Sequence, residues 1–436
     1  MSERGNKVIK DKTQKIAVIG LGFVGLPLTM LLVEKGYKVI GIDIDKKKIE
    51  SIRNSRSYIS DISDDSLKNA NQSKRFLVTT NNDEITNVDT VIICVPTPLN
   101  RDKSPNLDYV VSAAESIQKR IQKGQLIVLE SSTFPGTTRE IVQPILEKSG
   151  LQAGKDFHLA YSPERVDPGN QHFGIENTPK VVGGITETCK KVAVELYSHI
   201  YNDVVPVSSS EVAEFTKLLE NTYRFVNISF INEMAMLCNE LGINLWEVIE
   251  AASTKPYGYH PFYPGPGVSG HCIPVDPLYL QYIIQQKGLN SQFIHLSDQM
   301  NKEIVDYIVK LTFKIANKEN PTILIYGVTY KKDISDVRDS RAIDIFKELL
   351  VQGAQVDYHD PFVPEVNISG KRIKGTVINP QMISKYDVVL ILTDHTQIPA
   401  EAIAQHAKAI FDTRAVYKDV DLLKGKIKQL GNGLFV

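Results

Sequence analysis

Four side chains suited to covalent chemistry at a carbonyl carbon stand in two stretches of this 436-residue chain. Cys272 lies in a loop, after Gly270 and His271 and before Pro274. A cysteine in an apolar strand or helix is usually a small buried hydrophobe, and Cys94, Cys189 and Cys238 fit that description. Cys272 does not, and a loop thiolate is a nucleophile. A metal site shared with His271 is a rival reading, weakened because neighbours in sequence rarely chelate one ion and no partner pair with zinc spacing occurs elsewhere. Asp276 follows four residues later, between Val275 and Pro277. Near a cation it is an ionised carboxylate able to activate water; alone it is equally an ordinary loop-capping aspartate. Upstream, from Glu211 to Leu241, no proline or glycine interrupts a helical pattern. There Lys217 and Asn221 are spaced i, i+4 and share a face, with Arg224 near the same line. Phe215, Leu218, Leu219, Phe225 and Val226 surround them. Such a lysine is read as a cation aimed with the amide at an oxyanion, as half of an ion pair with Glu214 or Glu220, or as a snorkelling surface residue.

A second group of residues suits a dinucleotide. Gly20-Leu21-Gly22-Phe23-Val24-Gly25 is a GxGxxG that follows the strand-like Lys15–Ile19 and precedes a helix-like stretch. In that context each glycine has its own role. Gly20 allows the tight turn, Gly22 lets backbone approach a pyrophosphate, and Gly25 lets helix pack on strand. The helix amino terminus then faces the phosphates. A plain strand–helix turn is the alternative. Asp43 closes the next strand, where a carboxylate bonds a ribose 2′-hydroxyl and repels a 2′-phosphate, which favours NAD over NADP. Asp45 competes for that role, and Lys46, Lys47 and Lys48 soften the discrimination. Thr97, after the strand Thr90–Val95, and Thr133, after Leu126–Glu130, stand where ligands of open α/β sheets lie, although turn chemistry alone also explains them.

The elements that must position these residues follow from periodicity. Strands at Lys15–Ile19, Lys38–Asp43, Thr90–Val95, Leu126–Glu130 and Val181–Gly183, with a helix at Leu26–Lys35, predict a parallel, doubly wound α/β sheet. Ser208 with Glu211 has capping-box spacing at the head of the long helix, Gly242 ends it, and a second helix is expected at Asn244–Ala252. Residues 257–277 are too rich in proline and glycine for regular structure. Alternation resumes with strands at Thr322–Val328, Gln355–Tyr358 and Val388–Thr393 and a helix at Arg341–Gln352. The reading is two Rossmann-like doubly wound domains joined by a central helical one, at 1–205, 206–315 and 316–436. Hydrophobic residues at 42% and charged residues at 23% are ordinary globular composition. Fifty basic against fifty-one acidic residues leave no electrostatic footprint for nucleic acid or an acidic membrane. Four scattered cysteines, a polar amino terminus and no long apolar run predict a reduced, cytoplasmic chain without a transmembrane segment.

Assembled in order, GLGFVGLP (20–27), VPTP (95–98), ESSTFPGTT (130–138), SPERVDPGN (162–170), KLLENTYRFVNISFINE (217–233), PGPGVSGHCIPVDP (264–277), GVTYKKDISDVRDS (327–340) and FDTR (411–414) closely resemble the UDP-glucose/GDP-mannose dehydrogenase family over nearly the full length. The resemblance implies an NAD domain, a central helical domain used for homodimerisation and a C-terminal domain that holds the nucleotide of a UDP-sugar. It implies Cys272 as nucleophile, Lys217 and Asn221 at the oxyanions, Asp276 assisting water, and Glu164 and Thr133 managing protons at C6. It also implies Arg165 beside the substrate, Lys331 and Arg414 on the UDP phosphates, Phe262 and Gly267 in the loop around the sugar, and no metal. The sequence GHCIPVD (270–276) looks like the branch acting on UDP-N-acetylhexosamines, and SPERVDPGN favours UDP-N-acetylglucosamine over UDP-N-acetylmannosamine, with UDP-glucose third. Two departures stand out: Ser269 where the loop commonly has glycine, and Ile304-Val305 where Met-Pro is common.

The chemistry so implied is four-electron. Oxidation of an alcohol to a carboxylate removes two hydrides, and a thiolate traps the aldehyde between them as a thiohemiacetal, which becomes a thioester that water cleaves. A fixed cation at the oxyanion helps at each stage. A two-electron hydroxyacid dehydrogenase or ketol-type reductase needs neither Cys272 nor residues 321–436. A non-catalytic NAD-binding protein gives no reason for Lys217, Asn221, Cys272 and Asp276 to occur together.

Overall fold

Runs such as Thr90–Ile93 and Leu126–Leu129 are apolar at almost every position rather than every second one, and both are buried along their whole length. That is the signature of strands covered on two faces. The structure, a computed structural model, describes residues 14–59, 62–100, 102–166, 174–270, 272–418 and 425–434. The chain forms two compact units: one runs through Glu220 and includes Leu278–Leu289, and the other comprises Asn221–Pro277 and Asn290 onward.

The first unit is built on β1 (Lys15–Ile19), β2 (Lys38–Ile42), β3 (Phe76–Thr79), β4 (Thr90–Ile93), β5 (Leu126–Leu129), β6 (His158–Tyr161), β7 (Lys180–Gly184) and β8 (Val204–Pro206). They line up in the order β3-β2-β1-β4-β5-β6-β7-β8. Every pair is parallel except β6 with β7. Ile16 is in register with Val39 on one side and Thr90 on the other, so strand order reverses at β1. Such a switch point opens a crevice beyond the carboxyl ends of the strands. Two cores, one per face, fill the space between sheet and helices, with Val18, Leu28 and Ile92 in one and Ala17, Ile93 and Ile127 in the other. Each fully buried aliphatic side chain contributes about 1.5–3 kcal/mol.

In the second unit β9 (Thr322–Tyr326), β10 (Gln355–His359), β13 (Val388–Ile391), β14 (Ile410–Asp412) and β15 (Ile427–Gln429) form a parallel sheet ordered β10-β9-β13-β14-β15. Between β10 and β13, β11 (Glu365–Ile368) and β12 (Lys371–Lys374) make a separate antiparallel hairpin. Helices Gln292–Ala316 and Arg341–Val351 cover the sheet through Ile304, Val305, Ile308, Ile345 and Phe346. Ile304 and Val305 are thus core residues, which accounts for their apolar character.

Both sheets carry the same device at the end of their first-wound strand. In the first unit Gly20 (φ 92°) donates its N–H to Ile42 O at 2.8 Å, and Asp43 accepts Leu21 N–H at 2.9 Å. In the second, Gly327 (φ 82°) donates to His359 O at 2.9 Å, and Asp360 accepts Val328 N–H at 2.8 Å. The positive φ is what requires glycine at each turn.

Expected elements match the observed ones to within a few residues, with two corrections. The long helix spans Ser210–Leu241, and its capping hydroxyl is that of Ser209, which accepts Val212 N–H at 3.3 Å, not that of Ser208. Glu211, released from the capping role, pairs with Arg139 at 2.5 Å. The irregular loop also ends sooner than expected. Asp276 already opens a helix, Asp276–Gln286, with Pro277 in its first turn, where its missing N–H has no partner to lose. The second helix, Leu245–Ser253, is capped by Asn244 as its sequence suggests. Among the described residues no helix is long and apolar enough to cross a membrane.

The glycine turn gives a direct test of this geometry. A Cβ on Gly25 would stand 1.8 Å from Gly20 O, whereas one on Gly22 meets no protein atom within 4 Å. Gly25→Ala is expected to lower stability by about 1–3 kcal/mol and the thermal midpoint by several degrees. Gly22→Ala should melt at the wild-type temperature. Equal melting of the two variants would contradict the packing described.

Candidate active site

In the first unit the glycine turn lies beside Asp43. Its carboxylate is buried, accepts Leu21 N–H with one oxygen and Asp45 N–H at 2.9 Å with the other, and pairs with Lys48 at 3.2 Å. Asp45 instead caps the next helix by accepting Lys47 N–H at 2.8 Å. Asp43 is therefore the carboxylate that the fold ties to the glycine turn. Phe23 is half exposed and Val24 caps the first helix. The open space over Gly22, which a Cβ would enter without touching protein, is a cradle of the kind a pyrophosphate needs. Thr97 is buried, and its carbonyl accepts the Tyr279 hydroxyl at 2.8 Å.

Thr133 follows β5 and is fully buried, its Oγ1 sharing a 2.6 Å hydrogen bond with Thr137 Oγ1. The next turn is held by Glu214 on the long helix. Its carboxylate accepts Gly136 N–H at 2.7 Å, Thr138 N–H at 2.8 Å and the Thr138 hydroxyl at 2.6 Å. Burial pushes this carboxyl up to about 7, against the three donors that favour its charge. Glu164 accepts Val166 N–H at 2.5 Å through Oε1, and its buried Oε2 has no hydrogen-bond partner among the described residues. Arg165 is committed elsewhere, to Glu220 at 2.6 Å and to Pro179 O at 2.6 Å. Behind them Glu130, in the same sequence motif as Thr133, is fully buried, pairs with Lys180 at 2.8 Å and accepts the Tyr197 hydroxyl.

These pairings bear on the readings of Lys217. Glu214 is bonded to the 136–138 turn and Glu220 to Arg165, so neither supplies its counter-ion. The lysine is buried, which excludes a snorkelling surface role.

In the second unit Asn221 Nδ2 donates to Asp276 Oδ2 at 2.6 Å, both side chains buried. Asp276 N–H donates to Cys272 O at 2.9 Å. Cys272 is exposed, forms no disulfide, and stands just ahead of the amino terminus of the helix Asp276–Gln286. The Arg338 guanidinium, forked onto Asp336, lies within electrostatic reach of its sulfur. His271 lies outside the described residues, as do residues 167–170 of SPERVDPGN.

The cysteine loop is held by side chains from regular elements. Asn232 accepts Gly265 N–H at 2.9 Å, and Asn301 both accepts Val268 N–H at 2.5 Å and donates to Val268 O at 3.1 Å. Ser269 Oγ accepts Arg341 N–H at 2.9 Å and so caps the helix Arg341–Val351. Its presence where glycine is common adds a helix cap. Gly267 has φ 118°, and a Cβ there would meet Asn301 Oδ1 at 2.6 Å. Phe262 packs edge-on against Tyr223 with ring centroids 5.8 Å apart.

A polar cleft gathers Gly267, Ser269, Tyr330, Lys331 and Arg414. Arg414 is fixed by Asp394 at 2.8 Å, and its backbone N–H by Asp412 at 2.9 Å. Three residues expected at one ligand from separate motifs, Gly267, Lys331 and Arg414, thus line one space. Sequence reasoning missed Arg338, Arg341, Asn301, Glu130 and Glu214. The two arginines stand inside or beside the matched segment 327–340 and Glu130 opens the matched segment 130–138, so the motifs held the signal; Asn301 and Glu214 have none that is local.

Three family models cover the chain in order: the NAD binding domain of the UDP-glucose/GDP-mannose dehydrogenase family over residues 14–201, its central domain over 211–303 and its UDP binding domain over 324–419. The chain belongs to this family of NAD-dependent oxidoreductases acting on UDP-sugars. It is 35% identical to a UDP-N-acetyl-D-mannosamine dehydrogenase of Methanococcus maripaludis, covering 99% of this chain and 100% of the relative. It is 36% identical to a UDP-N-acetyl-D-glucosamine 6-dehydrogenase of Pseudomonas aeruginosa, over 91% and 95%. The solved structure of a UDP-D-ManNAc dehydrogenase from Pyrococcus horikoshii superposes with TM-score 0.85 at 30% identity, over 97% and 100%.

Glu214 makes the site's acid response measurable. A carboxyl whose folded value is raised from 4.5 to about 7 stabilises the fold most when protonated; that contribution is complete below 4.5 and lost as pH rises through about 7. Glu214→Gln, measured by thermal midpoint, is expected to flatten the pH slope over that interval and to cost about 1–2 kcal/mol at neutral pH through the lost acceptor. An unchanged slope would show that this carboxyl does not titrate there.

Proposed function

We propose that the chain oxidises the C6 alcohol of a UDP-N-acetylhexosamine to the uronic acid, with Cys272 as covalent nucleophile and UDP-N-acetylglucosamine as the preferred substrate. The observation that carries the reading is the Asn221–Asp276 hydrogen bond, which ties the long helix to the residue four places after an exposed loop cysteine. NAD, when bound, accepts the hydrides. Gly20, Gly22 and Gly25 form the turn for its pyrophosphate, Asp43 stands at its ribose, and Thr97 and Thr133 flank it. The Cys272 sulfur adds to the aldehyde carbon to give a thiohemiacetal, and the thioester at the acid oxidation level is cleaved by water. Lys217 and the second N–H of Asn221 Nδ2 stabilise the oxyanion. Asp276 orients the water, and Glu164, with a buried oxygen unpartnered among the described residues, exchanges the proton at C6. Arg338 and the amino end of the helix Asp276–Gln286 supply positive potential toward the thiolate.

Lys331 and Arg414 hold the UDP phosphates in the cleft they share with Gly267. Phe262 borders the sugar. Arg165, bonded to Glu220 and Pro179, acts by holding the Glu164 turn rather than by direct contact. The preference for the acetamido sugars rests on GHCIPVD, and that for the gluco over the manno epimer on SPERVDPGN. Relatives named for both epimers stand at 35% and 36% identity, so overall similarity favours neither.

Purified enzyme given NAD and UDP-N-acetylglucosamine, UDP-N-acetylmannosamine or UDP-glucose is expected to show the highest kcat/KM on the first and the lowest on the last, releasing two NADH per sugar. Cys272→Ala should form no uronate while retaining UDP and NAD affinity. Uronate from that variant at the wild-type rate would end the covalent scheme, and fastest turnover of UDP-glucose would end the acetamido reading.

The long helix also supports a homodimer. Phe215, Leu219, Tyr223, Phe230 and Leu237 are all exposed, and at about 100° per residue they fall within an arc of roughly 80°. A continuous apolar stripe on one helix suits an isologous contact with a second copy. Phe230→Glu with Leu237→Glu is expected to convert a dimer to a monomer in light scattering after size exclusion. A wild-type mass equal to one chain would refute the dimer.

A further inference from the structure

We infer that His395 is a positioning residue for the nucleotide, holding in place the segment 329–333 that carries Lys331 into the cleft. The inference rests on the reading of Lys331 as a phosphate contact. His395 is fully buried, and its two ring nitrogens have unlike partners. Nδ1 accepts Asp333 N–H at 3.0 Å. A ring nitrogen that accepts a backbone N–H bears no proton, so the imidazole proton sits on Nε2 and is donated to Asp360 Oδ2 at 3.1 Å. Asp360 is itself fixed by Val328 N–H at 2.8 Å and Phe362 N–H at 2.9 Å. It occupies the place in this sheet that Asp43 occupies in the first, and its carboxylate is turned to the histidine and to the turn after β9.

The grip is returned from the other side. The Asp333 carboxylate accepts Thr396 N–H at 2.9 Å and the Thr396 hydroxyl at 2.5 Å. Asp333 has φ 60°, a left-handed conformation that a non-glycine residue keeps only when its surroundings hold it. At the head of the segment Thr393 Oγ1 donates to Thr329 O at 2.8 Å, and Thr329 Oγ1 donates to Lys331 O at 2.8 Å. Residues 329–333 are therefore clasped at both ends by 393–396, and two of the three residues between, Tyr330 and Lys331, line the cleft with Gly267 and Arg414. Phe362 and Tyr326 close the remaining sides of the ring, at centroid distances of 5.1 and 6.1 Å.

The two nitrogens can be tested apart on the full chain. In His395→Asn the amide oxygen stands near the Nδ1 position and keeps an acceptor for Asp333 N–H; His395→Leu keeps none. UDP affinity by calorimetry is expected to fall about tenfold in His395→Leu and to return to within about threefold of wild type in His395→Asn. KM for the UDP-sugar should rise in parallel while kcat holds within about twofold. Thr396→Val, at an exposed residue, loosens the same clasp without touching the core and should weaken UDP several-fold. Unchanged NAD affinity and a cooperative thermal transition show that each variant is folded. If His395→Leu proves unfolded by those controls, Thr396→Val decides. Wild-type UDP affinity in His395→Leu or in Thr396→Val, or equal losses in the leucine and asparagine variants, would overturn the clamp. Lys331→Ala in the same assay tests the underlying reading separately: a loss of UDP affinity supports it, and wild-type affinity would remove both it and this inference.

Discussion

A buried polar side chain needs a hydrogen-bond partner, and Asn221 donates to Asp276 at 2.6 Å. That single hydrogen bond joins the long helix to the end of a loop that has no regular structure of its own. The bond matters because the loop's backbone cannot satisfy itself. Its N–H and C=O groups are taken up by Asn232, Asn301 and Arg341, each mounted on a helix. Asn301 is the clearest case: it donates to and accepts from the same residue, Val268, as a neighbouring strand would. The cysteine is thus exposed on a loop whose shape is set by rigid elements, which is the arrangement a reacting group needs.

The repeated strand-end aspartate extends the same logic to the two sheets. Asp43 and Asp360 each bond the backbone just after a positive-φ glycine, and each holds the residue two places on as well. What differs is the third partner. Asp43 has the part-exposed Lys48; Asp360 has the buried His395. A lysine at a surface can give way to a ribose hydroxyl at little cost, whereas a buried imidazole with both nitrogens bonded cannot. One topology therefore gives its buried acid a displaceable surface partner in the NAD binding domain and seals it into a scaffold in the UDP binding domain. The nucleotide in the latter must be met by other groups, which is consistent with basic residues lining the cleft.

What was legible in the sequence is what is local. The glycine turn, the strands buried on both faces and the uninterrupted helix each carry their signal within a dozen residues, and the positions found agree closely with it. The spacing of Lys217 and Asn221 is likewise a property of one helix. The cap at the head of that helix was misplaced by one residue because Ser208, Ser209 and Ser210 are interchangeable in type, and only the backbone trajectory selects Ser209. Asn301 and Glu214 were not legible, because each works on a partner tens of residues away and neither departs from the composition of an ordinary helix. Ser269 was noticed as unusual but its action, capping a helix that starts at Arg341, depends on a contact that no spacing rule encodes.

Lys217 shows how much an absent partnership can say. Within two turns the long helix carries Glu214, Lys217 and Glu220, at spacings that normally form i, i+3 ion pairs. Neither pair forms. Glu214 is bonded to three donors of the 136–138 turn, and Glu220 to the Arg165 guanidinium, whose planar fork suits a carboxylate. Among the described residues no acid forms an ion pair with Lys217, so helix stability alone gives no reason for a lysine there. The two acids at ion-pairing spacing on the same helix are held by other residues, and Lys217 is left as a buried lysine on a rigid element.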